Sequence, residues 1–147
     1  MRKRHQAAAR QTGPVFVDTG AWIALFSRHD SHHEEAEALF AAAVADQIPV
    51  LTTNLVVAEM QRLLLFRVGV EAAARAISVL ERSEILSLHF PARAEHVAAR
   101  SWLARLVAHK ITYTDAVSFA VMESIQSRGV LGFDSDFDLA GMPRWSP

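Results

Sequence analysis

The sequence predicts an α/β fold, a three-layer α/β/α sandwich around a mainly parallel sheet of four to five strands. Short apolar runs bounded by turn residues alternate with helical segments, and those segments come mostly in pairs. That is the pattern of a parallel sheet covered by helices on both faces. The chain's 147 residues are 51% hydrophobic. They suffice for one domain with a sizeable core and are too few for two ordinary domains.

Pro14 to Val17 reads as a short buried strand, and Thr19-Gly20 turns it into a first helix through Ala21, Trp22, Leu25 and Phe26. After the loop Arg28-His29-Asp30, Ser31 and Glu34 have the spacing of a capping box, opening a helix with Ala36, Leu39, Phe40 and Ala43 on its apolar face. Pro49 to Thr52 is the second strand, and Asn54 is the expected N-cap of a helix to Phe66 that Gly69 ends. A further helix covers Val70 to Arg82. Ile85 to Leu88 is the third strand, and Pro91 suits the first turn of a helix reaching Val107. The polar connection His109–Tyr113 leads into a helix from Thr114 to Ser127, closed at Gly129, and then into a fourth strand, Val130 to Phe133. Asp134 to Leu139 reads as a turn with one short helical piece, and Arg144-Trp145 as a last edge strand.

Charge divides the chain unevenly. All sixteen acidic residues lie at or after Asp18, whereas four of the fifteen basic ones, Arg2, Lys3, Arg4 and Arg10, precede it. Residues 1–14 are expected to form a basic, flexible extension that could meet a nucleic-acid backbone, and residues 15–147 a single domain. No apolar run approaches the roughly 20 residues of a membrane span, and no secretory pattern follows the basic start, so a soluble, cytoplasmic protein is expected. The absence of cysteine removes disulfides, thiolate catalysis and thiolate-bound zinc, leaving oxygen and imidazole as metal ligands.

Four carboxylates stand where apolar runs stop: Asp18, Glu59, Asp115 and Asp134. A carboxylate on an apolar framework costs several kcal/mol unless it is paired, and apart from Arg62, three residues after Glu59, no basic residue lies within four positions of any of them. A bound cation is the natural partner. Ligands of parallel sheets bind outside the carboxyl ends of the strands, where the topology reverses, and Asp18 and Asp134 follow the first and fourth strands. Asp115 opens a helix and shares a face with Phe119 and Met122, while Glu59 shares one with Leu55, Leu63 and Phe66. Singly, Asp18, Asp115 and Asp134 could be cap, first-turn and turn residues. Glu59 on an apolar stripe is neither cap nor turn.

The blocks Val15-Phe16-Val17-Asp18-Thr19-Gly20-Ala21-Trp22, Thr53-Asn54-Leu55-Val56-Val57-Ala58-Glu59, Tyr113-Thr114-Asp115-Ala116-Val117-Ser118-Phe119 and Phe133-Asp134-Ser135-Asp136-Phe137 resemble those of PIN-domain ribonucleases, most of all the VapC toxins of bacterial toxin–antitoxin pairs. The resemblance runs from Val15 to about Gly141. It implies a metal-dependent endoribonuclease with Asp18, Glu59, Asp115 and Asp134 as its acidic centre and Asp136 as a further carboxylate. Metal ligation would fall to Asp18, Asp115, Asp134 and Asp136. Thr19, Asn54 and Thr114 match the small polar residues that accompany the acids. The fourteen residues before Val15 exceed what the family pattern usually shows.

Independently of that resemblance, carboxylate oxygens suit Mg2+ or Mn2+, and metal-assisted attack of water on phosphorus needs no protein nucleophile. The cluster His29-Asp30-Ser31-His32-His33-Glu34 lacks zinc-site spacing, since adjacent helical residues face different ways. A phosphoryl-receiver domain would need a lysine after a late strand, and Lys110 instead precedes a helix. A haloacid-dehalogenase-type phosphatase would need a second aspartate two residues after the first, where Gly20 stands.

The partners implied are an RNA substrate, with tRNA and ribosomal RNA both in view, a cognate small antitoxin, and a second copy of the chain paired through the helix carrying Leu63-Leu64-Leu65-Phe66. The apolar residues near Trp22, Leu25 and Phe26 and the Leu63 helix are expected to receive the antitoxin. Arg62, Arg67, Arg105, Lys110 and Arg128 are candidate RNA contacts. The alternatives are a PIN nuclease of RNA processing and a catalytically silent PIN-type binding module, which a missing acid would betray.

Overall fold

Strand order decides where a site can form in this chain. The structure, a computed structural model, describes residues 12–147. The elements run β1 (Gly13–Val17), α1 (Thr19–Phe26), α2 (His33–Ala45), β2 (Val50–Thr53), α3 (Asn54–Arg67), α4 (Val70–Arg82), β3 (Leu86–His89), α5 (Arg93–Arg105), α6 (Tyr113–Ser124), β4 (Ser127–Leu131) and α7 (Asp136–Leu139). Four parallel strands form one sheet in the order β3-β2-β1-β4. The chain moves outward from β1 to β2 to β3 and then returns across the sheet to β4. Right-handed crossovers therefore place α1 to α4 on one face and α5 and α6 on the other. The packing agrees: α1 contacts α2, α3 and α4, while α5 packs on α6. The direction of winding reverses between β1 and β4, so the crevice for a ligand lies beyond their carboxyl ends.

Burial follows from this layering. Val15, Phe16 and Val17 are all inaccessible, covered from both faces. Phe119 of α6 meets Trp102 and Phe137 edge to face, with centroids 5.3 and 5.2 Å away. On the opposite layer Trp22 packs on Phe40 at 4.9 Å and on Phe26 at 6.5 Å. Burying one such aromatic side chain stabilises the fold by about 2–3 kcal/mol.

Several boundaries differ from those read in the sequence, each for a local reason. The strand expected from Pro14 begins at Gly13, whose N–H donates to Gln126 O; the rest of the expected basic extension, residues 1–11, lies outside the described residues. Helix α2 starts at His33 without the Ser31–Glu34 box, because Asp30 Oδ1 accepts the His32 N–H at 2.9 Å and winds the loop first. Thr53, not Asn54, caps α3: it still pairs with His89 in the sheet while its Oγ1 accepts the Val56 N–H at 3.2 Å. Gly69, with φ of 142°, follows α3 and is the N-cap of α4. The α6 helix runs from Tyr113 to Ser124 rather than from Thr114 to Ser127. Gln126, at φ 51°, turns the chain so that Ser127 already pairs with Gly13, moving β4 upstream of the expected Val130–Phe133. Helix α5 ends at Arg105, and Arg144 forms only an isolated bridge to Val130.

Candidate metal-nuclease centre

Each of the four carboxylates reaches the crevice by a different local route. Asp18 directly follows β1; its N–H donates to Leu131 O of β4 at 3.1 Å, and its carbonyl accepts from the first turn of α1. Glu59 sits in the second turn of α3, beside rather than on the buried row Val56, Met60 and Leu64. The inward face expected for Glu59 with Phe66 is corrected by this rotation, which leaves Phe66 79% exposed. Asp115 is the third residue of α6, where it completes a capping box: its N–H donates to Thr112 Oγ1 and its Oδ2 accepts the Thr112 N–H, both at 3.1 Å. Asp134 lies in the loop between β4 and α7, where its Oδ1 accepts the Asp136 N–H at 3.0 Å.

One cavity of about 290 Å3 brings them together, lined by Asp18, Glu59, Asp115 and Asp134 with Thr19, Gly20, Ile23, Asp30, Leu63, Arg67 and Thr112. Thr19 Oγ1 donates to Glu59 Oε2 at 2.5 Å, tying α1 to α3 across the floor. Gly132 makes room on the β4 side, since a Cβ there would stand 3.3 Å from that of Asp18.

Of the residues expected at the site, Asn54, Thr114 and Asp136 do not line the cavity. Asn54 Oδ1 is buried without a partner, and the Thr114 carbonyl accepts from Ser118 Oγ. Asp30, Thr112 and Arg67 line it together with Gly20, Ile23 and Leu63. Thr112 was detectable as the first residue of a Thr-x-x-Asp capping box, whereas Asp30 carries no sequence signal beyond its turn propensity. Among the candidate RNA-contacting cations, Arg67 alone lines the cavity; Arg105 stacks over Trp102 at 3.7 Å, and Arg128 donates to the Gly13 carbonyl at 2.7 Å. The histidine cluster is used for packing: His32 stacks on Phe133 at 4.3 Å, and His33 Nδ1 lies 2.7 Å from Ala24 O.

Arg67 shares the cavity lining, but none of the four acids forms an ion pair among the described residues. Asp18 is 4% exposed and its Oδ1 has no hydrogen-bond partner. Burial pushes its carboxyl up to about 7, against the pull of the Thr19 amide; Asp115 and Glu59 push the same way, and the Gly20 amide opposes them. Burial also raises Asp115, partly offset by its bonds to Thr112, and raises Asp136, beside Asp134. The all-oxygen donor set and the orphaned Asp18 oxygen fit a hard divalent cation. Among the described residues no three carboxylate or imidazole side chains are gathered into a chelating group by themselves. Water or substrate oxygens would have to complete the coordination, as is usual for Mg2+.

Residues 15–141 match the PIN domain family. Over 133 residues the chain is 34% identical to the 23S rRNA-specific endonuclease VapC20 of Mycobacterium tuberculosis, covering 90% of this chain and 98% of that protein. The crystal structure of M. tuberculosis VapC20, described as a sarcin–ricin loop cleaving toxin, superposes with a TM-score of 0.81 at 32% identity, over 90% of this chain and 99% of the other. FitAcB from Neisseria gonorrhoeae, at 16% identity and a TM-score of 0.61 over 90% and 97% of the two chains, shares the fold. The protein belongs to the PIN domain family.

Proposed function

We propose that the protein is a metal-dependent endoribonuclease that acts as the toxin of a VapBC-type toxin–antitoxin pair. The observation that carries this reading is the convergence of Asp18, Glu59, Asp115 and Asp134 on one cavity at the topological switch point, with the buried Asp18 Oδ1 unpartnered. Likeness to VapC20 along nearly the whole length of both proteins supports the toxin assignment, and with it ribosomal RNA as the substrate class rather than tRNA. No helix among the described residues is long and apolar enough to cross a membrane.

Asp18, Asp115 and Asp134 would hold Mg2+ or Mn2+, with Asp136 supporting the Asp134 loop. A bound cation would supply Lewis acidity and charge neutralisation at a scissile phosphate. Thr19 orients Glu59 by holding Oε2, so that Oε1 can accept a proton from the attacking water. Asp115 is fixed through Thr112. Arg67, at the mouth, offsets the repulsion between four acids and an approaching phosphate.

A small antitoxin and a second copy of the chain are the proposed protein partners. Trp22 is buried and Leu25 and Phe26 are half-covered, so the apolar surface expected there is largely consumed. Phe66, Val68 and Val70, all exposed at the α3–α4 corner, offer apolar surface in its place. The reading is tested by incubating Glu59→Gln and the wild type with a sarcin–ricin loop hairpin and Mn2+. Cleavage should fall by orders of magnitude in the variant, with hairpin affinity retained, and wild-type expression alone should stop growth unless the antitoxin is co-expressed. Equal cleavage by both proteins would remove Glu59 from the mechanism, and a silent binding module would cut with neither.

A further inference from the structure

Asp134 is the most exposed of the four acids and sits on a loop with no regular structure, yet a metal ligand must be held to within a few tenths of an ångström. Arg144 stands beneath that loop. Its guanidinium donates to three successive backbone carbonyls: Gly132 O through Nη1 at 3.2 Å, and Phe133 O and Asp134 O through Nη2, both at 3.4 Å. Asp138 of α7 pairs with the same group, its Oδ2 3.2 Å from Nη2 and its Oδ1 3.4 Å from Nε. The arginine is itself anchored, because Val130 N–H donates to Pro143 O and Trp145 N–H to Val130 O on either side of it. From above, the His32 ring lies on Phe133 at an interplanar angle of 3°.

We propose that Arg144 is a positioning residue for the metal centre, holding the Gly132–Asp134 loop so that Gly132 stays against Asp18 and the Asp134 carboxylate faces the cavity. The inference rests on the nuclease reading above. Arg144 lies beyond residues 15–141, the span that matches the PIN domain family. A planar fork of five N–H donors can serve three carbonyls and a carboxylate at once; a lysine ammonium has three donors around one point and cannot span them. Loss of the fork frees the loop, not the fold, because the sheet and α7 packing around Phe137 remain.

The test is a Mn2+ titration by calorimetry on the full chain, comparing the wild type, Arg144→Met, Arg144→Lys and Asp134→Asn, alone and combined, with melting curves alongside. Arg144→Met should weaken Mn2+ binding about tenfold or more, with Arg144→Lys intermediate. Adding Arg144→Met to Asp134→Asn should bring little further loss, since both act through one ligand. A purely structural role predicts a lowered melting temperature with wild-type Mn2+ affinity, and that result overturns the proposal. Should Arg144→Met fail to fold, the Arg144→Lys titration decides in the same way. Unchanged Mn2+ binding in Asp134→Asn would instead sink the site assignment itself, an outcome separate from failure of the arginine.

Discussion

Replacing Asp18 by Asn should stabilise the metal-free protein at alkaline pH and do nothing of the kind in acid. The native Asp18 carboxyl takes up its proton at about 7, whereas in the unfolded chain it does so near 3.8. Between those values the native state binds more protons than the unfolded one, so its stability falls as pH rises through that window. Above pH 7 the full penalty is present, and below about 3.8 it is absent. At about 1.4 kcal/mol per tenfold change in proton affinity, that gap sets an upper bound of roughly 4 kcal/mol. Asparagine removes the charge but buries an amide in place of an unpartnered oxygen, at a cost of about 1–3 kcal/mol. The net gain at pH 8 is therefore about 1–3 kcal/mol, or roughly 4–12 °C in melting temperature for a domain of this size.

The assay is a set of melting curves in chelator at pH 5 and pH 8 for the wild type and Asp18→Asn. The variant should melt higher at pH 8, with the difference shrinking or reversing at pH 5. Saturating Mn2+ should invert the order at pH 8, since an ion at about 1,000 times its dissociation constant adds about 4.1 kcal/mol to the protein that binds it, more than the variant's advantage. A difference independent of pH, or a variant less stable at pH 8, would refute the account of Asp18 as a buried, uncompensated acid.

Asp136→Asn should slow cleavage far less than Asp134→Asn, because only Asp134 lines the cavity; steady-state rates on one RNA hairpin compare them. Gly132→Ala should destabilise by about 1–2 kcal/mol in denaturant titration, since its new methyl group meets Asp18 Cβ at 3.3 Å and one of the two must shift.

How much of this was legible in the sequence depends on the range of the interactions involved. The sheet, the helix pairs and the four acids were readable, because apolar runs and strand-end carboxylates are local signals. Helix α4 ran over the residues expected, Val70–Arg82, where its amphipathic pattern is strong. The helix starts were not readable to the residue: Thr53, Asn54 and Ser31 are all competent caps, and sheet pairing and the Asp30 turn decided among them. The burial of Trp22, the rotation of Glu59 away from the Val56 row and the grip of Arg144 on the Asp134 loop depend on segments far apart in the chain. No local pattern encodes them.

The four acids are unequal, and the inequality follows from the fold. Asp18 is trapped between β1 and β4 because the strand that ends at Val17 is covered on both faces, so its charge is the least tolerated in the absence of a cation. Asp115 is half-covered and already spends one oxygen on capping α6. Glu59 is held through Thr19, and Asp134 is exposed on a loop. A cation therefore relieves the most repulsion at Asp18 and gains the most geometric definition at Asp134. Loss of Asp18 should accordingly register most in metal-dependent stability, while loss of Asp134, or of the arginine that holds its loop, should register both in how tightly the ion is bound and in how well it is placed for reaction.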